Sequence, residues 1–181
     1  MAVTLHTNCG DLKLELFCDE VPRASENFLG LCASGVYNKT RFHRNIKGER
    51  QTEAKTTVFD SPLVCNFAGF MVQGGDPTGT GKGGASIWGG KLPDEFNDNL
   101  KHSARGIVSF ANAGPNTSGS QFFITYAKQP SLNNKFTVFG RVIAGMETLD
   151  AMEKAPVDAS DAPIHPLVLE TVTIHSNPLA L

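Results

Sequence analysis

Short runs of alternating apolar and polar residues, separated by turns rich in glycine, recur along this chain. At its start, Val3 and Leu5 alternate with polar residues, and after a turn the alternation resumes at Leu12 and Leu14, which predicts a hairpin with one buried face. Further strand-like runs occupy residues 41–46, 70–73, 106–111, 121–125, 137–142 and 168–175. Many short strands combined with 18 glycines predict an all-β sandwich or a closed barrel.

Two segments have helical rather than strand periodicity. Pro22 is tolerated in a first helical turn, and the apolar residues Phe28 and Leu31 follow at helical spacing, so a helix is predicted over residues 22–34. The same spacing predicts a second helix over residues 146–154.

Length and charge limit the class of protein. A chain of 181 residues and 19.4 kDa fits one domain, residues 1–181, and can bury a core without disulfide bonds. The net charge of -2 gives no overall attraction to nucleic acid or to a membrane. No run approaches the roughly 18 apolar residues that a membrane span requires. Nothing in the sequence indicates an oligomer, and a monomer is expected.

The four cysteines, Cys9, Cys18, Cys32 and Cys65, form no C-x-x-C pair and complete no zinc signature with histidine. We expect them to be reduced and mostly buried thiols. The first residues lack the basic start and long apolar run of a signal peptide. An intracellular protein without a metal or cofactor is therefore expected.

Three polar side chains stand among apolar ones in the strand-like segments. Arg44 follows Phe42-His43, Gln73 follows Phe70-Met71-Val72, and Gln121 precedes Phe122-Phe123-Ile124. No nucleophile, paired carboxylate or metal cluster accompanies them, which suits a reaction that makes or breaks no covalent bond. Arg44 is either a solvated strand arginine or a planar donor aimed at a carbonyl or amide, and His43 is interpreted as structural.

A glycine-rich segment, residues 79–84, formally matches the dinucleotide-binding pattern G-x-G-x-x-G. That fingerprint requires a preceding strand and a following helix, and neither is predicted here. Nucleotide binding is therefore not expected.

Several motifs, taken in their order along the chain, resemble the cyclophilin family of peptidyl-prolyl isomerases. They are Phe42-His43-Arg44, residues 69–76, Ala111-Asn112-Ala113-Gly114-Pro115-Asn116-Thr117, Gly119-Ser120-Gln121-Phe122-Phe123-Ile124, and Phe139-Gly140. Residues 31–34, 42–48 and 173–178 are most similar to the peptidyl-prolyl isomerase-like 3 branch of the family, which is associated with spliceosomes. The resemblance implies a closed eight-stranded antiparallel β-barrel capped by two α-helices.

The resemblance also assigns site residues. It makes Arg44 the catalytic arginine. The residues implied to wall the proline pocket are Phe70, Met71, Phe123, Leu132 and Phe136, and those implied to hold the peptide are Gln73, Ala111, Asn112, Ala113 and Gln121.

Two positions depart from the family pattern. Phe136 stands where many members carry histidine and this branch tends to carry tyrosine, so the apolar wall is kept and a polar tip is lost. Ser131 stands where the best-known members carry a tryptophan that contacts cyclosporin, and weak cyclosporin binding is therefore expected.

A third departure is an insertion at residues 49–69, between the Phe-His-Arg and Phe-Met-x-Gln motifs that the family usually places a few residues apart. The segment has no helical or strand period, so an exposed or disordered loop is predicted, and a long surface loop costs little in closure entropy. Two origins remain open. The segment is a lineage-specific loop, or it is a translated intron, since Gly48-Glu49-Arg50 and Phe67-Ala68-Gly69 can be encoded with splice signals.

These features predict a prolyl cis/trans isomerase that acts on X–Pro bonds in exposed protein segments, assisting protein folding or spliceosome assembly in the nucleus or the cytoplasm. The alternative is a catalytically weak module that binds proline-containing peptides in a ribonucleoprotein complex. Arg44 favours the enzyme, whereas Ser131, Phe136 and the insertion favour weak catalysis.

Overall fold

The computed structural model describes residues 1–48 and 69–175. The predicted loop therefore lies outside the described residues, except for Gly69. Nine strands and two helices form a nearly closed antiparallel β-barrel. The strands are β1 (Ala2–Thr7), β2 (Gly10–Leu16), β3 (Thr40–Phe42), β4 (Arg44–Ile46), β5 (Met71–Gly74), β6 (Ile107–Phe110), β7 (Phe122–Thr125), β8 (Val138–Ala144) and β9 (Leu167–His175). The helices are α1 (Pro22–Ala33) and α2 (Met146–Lys154), and a 3₁₀ turn spans Pro130–Leu132.

The barrel class is confirmed, but the described residues form nine strands rather than eight. The strand order is β3-β9-β1-β2-β8-β6-β7-β5-β4, so β3 and β4 lie at opposite edges of the sheet. The run predicted as one strand over residues 41–46 is divided at His43, and its halves pair with β9 and β5 respectively. His43 thus joins the two edges covalently, and a bridge between Arg41 and Asp76 lies at the same seam.

The first hairpin shows why alternation predicts a buried face. Val3 pairs with Leu14 and Leu5 with Leu12, and all four side chains are fully buried. Because successive strand residues point to opposite faces, this register places these four apolar side chains in the barrel core.

Helix α1 closes one end of the barrel with an aromatic side chain. Phe28 is 0% exposed, and its ring centroid lies 4.7 Å from that of Phe139, 5.3 Å from Tyr37 and 5.5 Å from Phe122. The helix begins at Pro22 as predicted and ends one residue earlier than expected.

Helix α2 has the predicted bounds and buries Leu149 and Met152. Gly145 precedes it with a φ of +92°, a conformation that glycine adopts without strain. Its backbone also packs against that of Asp11, where a Cβ would overlap the carbonyl. None of the helices among the described residues combines the length and the apolar character needed to cross a membrane.

The cysteines differ from expectation. Cys9, Cys18 and Cys32 are free thiols, but only Cys32 is buried, and burial raises its pKa to about 12. Cys9 and Cys18 are partly exposed, so the prediction of mostly buried thiols was wrong for these two. Cys65 lies outside the described residues.

Candidate active site

Three neighbouring strands place two of the predicted polar residues, Arg44 and Gln73, in one row with Phe123. In the register of β4 with β5, Arg44 is opposite Gln73, and in that of β5 with β7, Gln73 is opposite Phe123. Residues that are directly opposite in an antiparallel pair project from the same face of the sheet. Arg44, Gln73 and Phe123 therefore share a face.

That face is the outside of the barrel. Phe122 and Ile124 belong to the main core, whereas Phe123, which lies between them, belongs to a separate apolar group. We call this group the outer cluster. It consists of Met71, Phe123 and Leu132, with Ile46, Phe70, Ala111 and Phe136 packed against it.

The outer cluster forms an apolar wall beside Arg44. Phe123 is buried, and the Phe136 ring meets it edge-on at 5.4 Å. Leu132 comes from the 3₁₀ turn, which brings this loop against strands that are distant in sequence. The cluster has the apolar character of a surface that could contact a proline ring.

The two glutamines are joined to each other. Gln73 donates through Nε2 to Gln121 Oε1 at 2.9 Å, and Gln121 donates to the Gly83 carbonyl at 2.9 Å. These bonds fix both amide planes before a ligand arrives. Among the described residues, none accepts a hydrogen bond from the Arg44 side chain, which is exposed.

A cavity of about 320 Å³ adjoins the glutamines. Five residues implied to hold a peptide line it, namely Gln73, Ala111, Asn112, Ala113 and Gln121, together with glycines of residues 81–84, Lys82 and Lys91. The other six candidates do not line this cavity. Arg44 lies on the adjoining strand, and Phe70, Met71, Phe123, Leu132 and Phe136 form the adjoining apolar wall.

Some backbone N–H groups of the residues implied to hold a peptide are already hydrogen-bonded within the protein. The Ala111 N–H donates to the Gln121 carbonyl, and the Ala113 N–H donates to Thr117 Oγ1. The Asn112 side-chain amide donates to the Lys135 carbonyl at 2.7 Å, which ties this segment to the loop carrying Phe136. Carbonyl oxygens, rather than these N–H groups, are left to bind a peptide.

Asp76 holds the glycine-rich segment in place, a role that was not predicted from the sequence. The buried Asp76 carboxylate accepts hydrogen bonds from the backbone N–H groups of Thr78, Gly81 and Gly83. Burial alone would raise the pKa of Asp76, but the hydrogen bonds from Thr78, Gly83 and Gly81 outweigh it and lower the pKa. The segment is thus a fixed wall of the cavity. In the sequence, this arrangement is indicated by a run rich in glycine shortly after Asp76.

His102 is a second missed feature. It is 0% exposed, stacks on Phe123 with 5.9 Å between ring centroids, and is held by Asn133 at Nδ1 and Ser109 at Nε2. His102 therefore backs the aromatic wall of the site. Its neighbours in sequence show no period that would have revealed this position.

His43 occupies the seam next to Arg44. Its pKa is lowered by burial, and the adjacent Arg44 charge acts in the same direction, whereas the Asp76 carboxylate opposes the change. The ring lies under Gly81, consistent with the structural role expected for it.

A pH dependence of stability follows from His102. Burial lowers its pKa, and the hydrogen bond with Asn133 offsets this only in part. In the unfolded state, His102 has a pKa of ~6.5. Below that pH the unfolded state therefore binds more protons than the folded state. Above about pH 6.5, we expect His102 to leave the free energy of unfolding unchanged. Below that pH, the free energy of unfolding should fall as the pH falls through the folded pKa of His102.

Denaturant titrations at several pH values measure this fall. His102→Gln should flatten the pH dependence, whereas His165→Gln, at an exposed histidine, should retain it. A wild-type slope in the His102 variant would contradict the assignment.

Within residues 1–48 and 69–175, no three His, Cys, Asp or Glu side chains are grouped so that they could hold a metal ion. The arrangement offers a cation, fixed amides and an apolar wall. These groups can bind and polarise a peptide, and the expected chemistry needs neither a nucleophile nor proton transfer.

Comparison with known proteins agrees with this geometry. Residues 2–174 match the family described as cyclophilin type peptidyl-prolyl cis-trans isomerase/CLD. The chain is similar to the peptidyl-prolyl cis-trans isomerase CYP18-1 of Arabidopsis thaliana, with 59% identity over 180 residues and 99% of each chain covered. It is also similar to the peptidyl-prolyl cis-trans isomerase-like 3 of Homo sapiens, with 54% identity over 181 residues and 99% of each chain covered.

A solved structure shows the same fold. The cyclophilin type isomerase of Cryptosporidium parvum, crystallised in the presence of the dipeptide Ala-Pro, superposes with a TM-score of 0.84 at 47% identity, covering 98% of this chain and 100% of that chain. The fold, the family match and the relatives agree, and the chain belongs to the cyclophilin family of peptidyl-prolyl cis-trans isomerases.

Proposed function

We propose that the outer face of β4, β5 and β7 is where this isomerase binds a proline-containing segment and rotates its X–Pro bond. The observation that carries the proposal is the row of Arg44, Gln73 and Phe123 beside the outer cluster. It places an exposed cation, for which the described residues supply no acceptor, next to an apolar wall and a pair of hydrogen-bonded amides.

The reaction needs such an arrangement because of the peptide bond itself. Rotation about an X–Pro bond crosses a barrier of ~18–20 kcal/mol, since twisting removes amide resonance. In the twisted state the proline nitrogen becomes pyramidal and regains a lone pair. A donor that meets this nitrogen, or the prolyl carbonyl, binds the twisted state more strongly than either planar form.

Arg44 is proposed as that donor, because its guanidinium keeps its charge and presents a rigid fork. Met71, Phe123 and Leu132 would hold the proline ring and exclude water, which strengthens the charged hydrogen bond. Gln73 and Gln121, with the carbonyl groups of residues 111–113, would hold the flanking peptide. Lowering the barrier by about 6–7 kcal/mol would give an acceleration of roughly 10⁴–10⁵.

A protease-coupled assay on a proline-containing peptide tests the proposal. A rate above the uncatalysed one that depends on Arg44 supports it, and the variant is discussed below. The second candidate function is a weak binding module, which the Ser131 and Phe136 departures favour. That protein would bind the peptide at this surface without accelerating its isomerisation.

Cyclosporin inhibition is expected to be weak because Ser131, exposed on the loop that carries Leu132, offers no aromatic surface. Ser131→Trp should tighten inhibition by about tenfold or more, the contribution of one aromatic anchor. Inhibition constants from the same assay measure this, with Ser131→Ala as the control. Wild-type inhibition as tight as that of the tryptophan variant would contradict it.

A finer proposal concerns the cellular role. The likeness of residues 31–34, 42–48 and 173–178 to a branch associated with spliceosomes supports assistance to spliceosome assembly, as a monomer in the nucleus or cytoplasm. Purification of the tagged protein from nuclear extract, followed by probing for spliceosomal RNA, tests this role. Absence of those RNAs under conditions that preserve spliceosomes would count against it.

A further inference from the structure

The last turn of α2 contacts β4 and the residues that lead into β5, the two strands that carry Arg44 and Gln73. On the β4 side, the buried Asn45, next to Arg44, donates through Nδ2 to the Met152 carbonyl at 2.8 Å. On the β5 side, Glu153 Oε1 accepts the Gly69 backbone N–H at 2.6 Å. One end of a helix thus holds two strands by adjacent residues.

Arg105 holds the other oxygen of the same carboxylate. Its guanidinium donates to Glu153 Oε2 at 2.6 Å, to the Tyr126 carbonyl at 2.8 Å and to Asp150 Oδ1 at 2.6 Å. The Arg105 and Glu153 side chains are 27% and 20% exposed, so water screens this pair only in part. The orientation of Glu153 is therefore fixed from one side by Arg105 and from the other by Gly69.

Tyr126 links Asn45 and Arg105 to the residues before β5. Its hydroxyl donates to Asn45 Oδ1 at 2.7 Å, and its ring lies under the Arg105 guanidinium at 5.3 Å. Its backbone N–H donates to the Phe70 carbonyl, while the Phe70 N–H donates to Ile46. A closed set of contacts therefore surrounds the point where β5 begins.

This point needs external support because the connection between β4 and β5 is 24 residues long. Ile46, the last residue of β4, pairs with Met71, the first of β5, and residues 47–70 connect them. A short turn sets the register of a hairpin through its own geometry, and a connection of this length does not. A slip of one residue would move Met71 and Gln73 to the opposite face of the sheet.

We propose that Glu153, oriented by Arg105, is a positioning residue for the isomerase site, which fixes Gly69 and thereby the register of β5 against Arg44. The inference rests on the proposed function of this face. It assigns to α2 a task beyond closing the barrel, because the helix supplies the restraint that a short turn would otherwise provide.

The main test compares two acidic residues that both pair with Arg105. Glu153→Ala releases Gly69 and should lower kcat/KM about tenfold, with a rise in KM, because β5 carries residues proposed to bind the peptide. Asp150→Ala removes the other ion pair but leaves Gly69 held, and its kcat/KM should match the wild type. Glu153→Gln keeps an oxygen for the Gly69 N–H and should recover part of the loss.

Amide hydrogen exchange on the same full-length variants gives a readout independent of activity. Glu153→Ala should accelerate exchange at Gly69 and Phe70 while Leu5 and Leu14 in the first hairpin stay protected. A merely structural role would accelerate exchange in both places together. Gly69→Ala is a second route to the same result, because its Cβ would lie 2.7 Å from Glu153 Oε1 and displace the carboxylate.

Equal kcat/KM and equal Phe70 protection in Glu153→Ala and Asp150→Ala would overturn the inference. If instead the proposed function is wrong, Arg44→Ala will leave the isomerisation rate unchanged. Exchange at Gly69 and Phe70 then still decides whether Glu153 sets the position of β5.

Discussion

Replacement of Arg44 by alanine should lower kcat/KM for a proline-containing peptide by about two orders of magnitude. This corresponds to roughly 3 kcal/mol of transition-state stabilisation, the contribution of one preorganised charged donor in a site that excludes water. Arg44 begins β4, opposite Gln73, and none of the described residues accepts a hydrogen bond from its side chain. Its removal should therefore affect the reaction more than the fold.

Two further variants make this test specific. Arg41→Ala removes another exposed strand arginine, on the other side of His43, and should leave the rate unchanged. Arg44→Lys keeps the positive charge but loses the planar fork, and its rate should lie between those of the wild type and the alanine variant. A protease-coupled assay measures all three. An unchanged rate in Arg44→Ala would defeat the proposed mechanism and favour the binding module.

The largest expected effect on stability is at Phe28. Its ring packs against Tyr37, Phe110, Phe122 and Phe139 with no exposure to solvent. Phe28→Ala should lower the free energy of unfolding by about 3–5 kcal/mol, because it removes apolar contacts and leaves a cavity between α1 and the barrel. Since single domains have about 5–15 kcal/mol in total, this is a large fraction of the stability.

Denaturant unfolding measures this loss as a lower midpoint with an unchanged m-value. Phe96→Ala is the matched control, since the same chemical change occurs at a side chain that is 48% exposed. It should change the free energy of unfolding by no more than about 0.5 kcal/mol. A similar loss in both variants would contradict the central packing role of Phe28.

The local elements could be predicted from the sequence because their signals are local. Alternation at Val3, Leu5, Leu12 and Leu14 reports a strand with one buried face, and the structure buries all four. Helix α2 has the bounds that its spacing predicts. The family motifs added the expectation of an antiparallel β-barrel with two helices, which the fold and the relatives confirm.

The same local signals were insufficient at the seam of the barrel. Residues 41–46 have the pattern of one strand, and nothing in that pattern shows that the two halves pair with different partners. The break at His43 arises because the sheet must close on itself, and closure is a property of the whole barrel rather than of one segment.

Part of the candidate site, too, could be predicted from the sequence, and part could not. Residue type and strand period, which are local properties, pointed to Arg44 and two glutamines as candidates, and the family resemblance added the apolar set. The folded arrangement was needed to show that Arg44, Gln73 and Phe123 form one row, that His102 stacks on Phe123, and that Glu153 accepts the Gly69 N–H. These contacts join residues far apart in the chain, and they form because barrel closure and the packing of α2 bring those segments together.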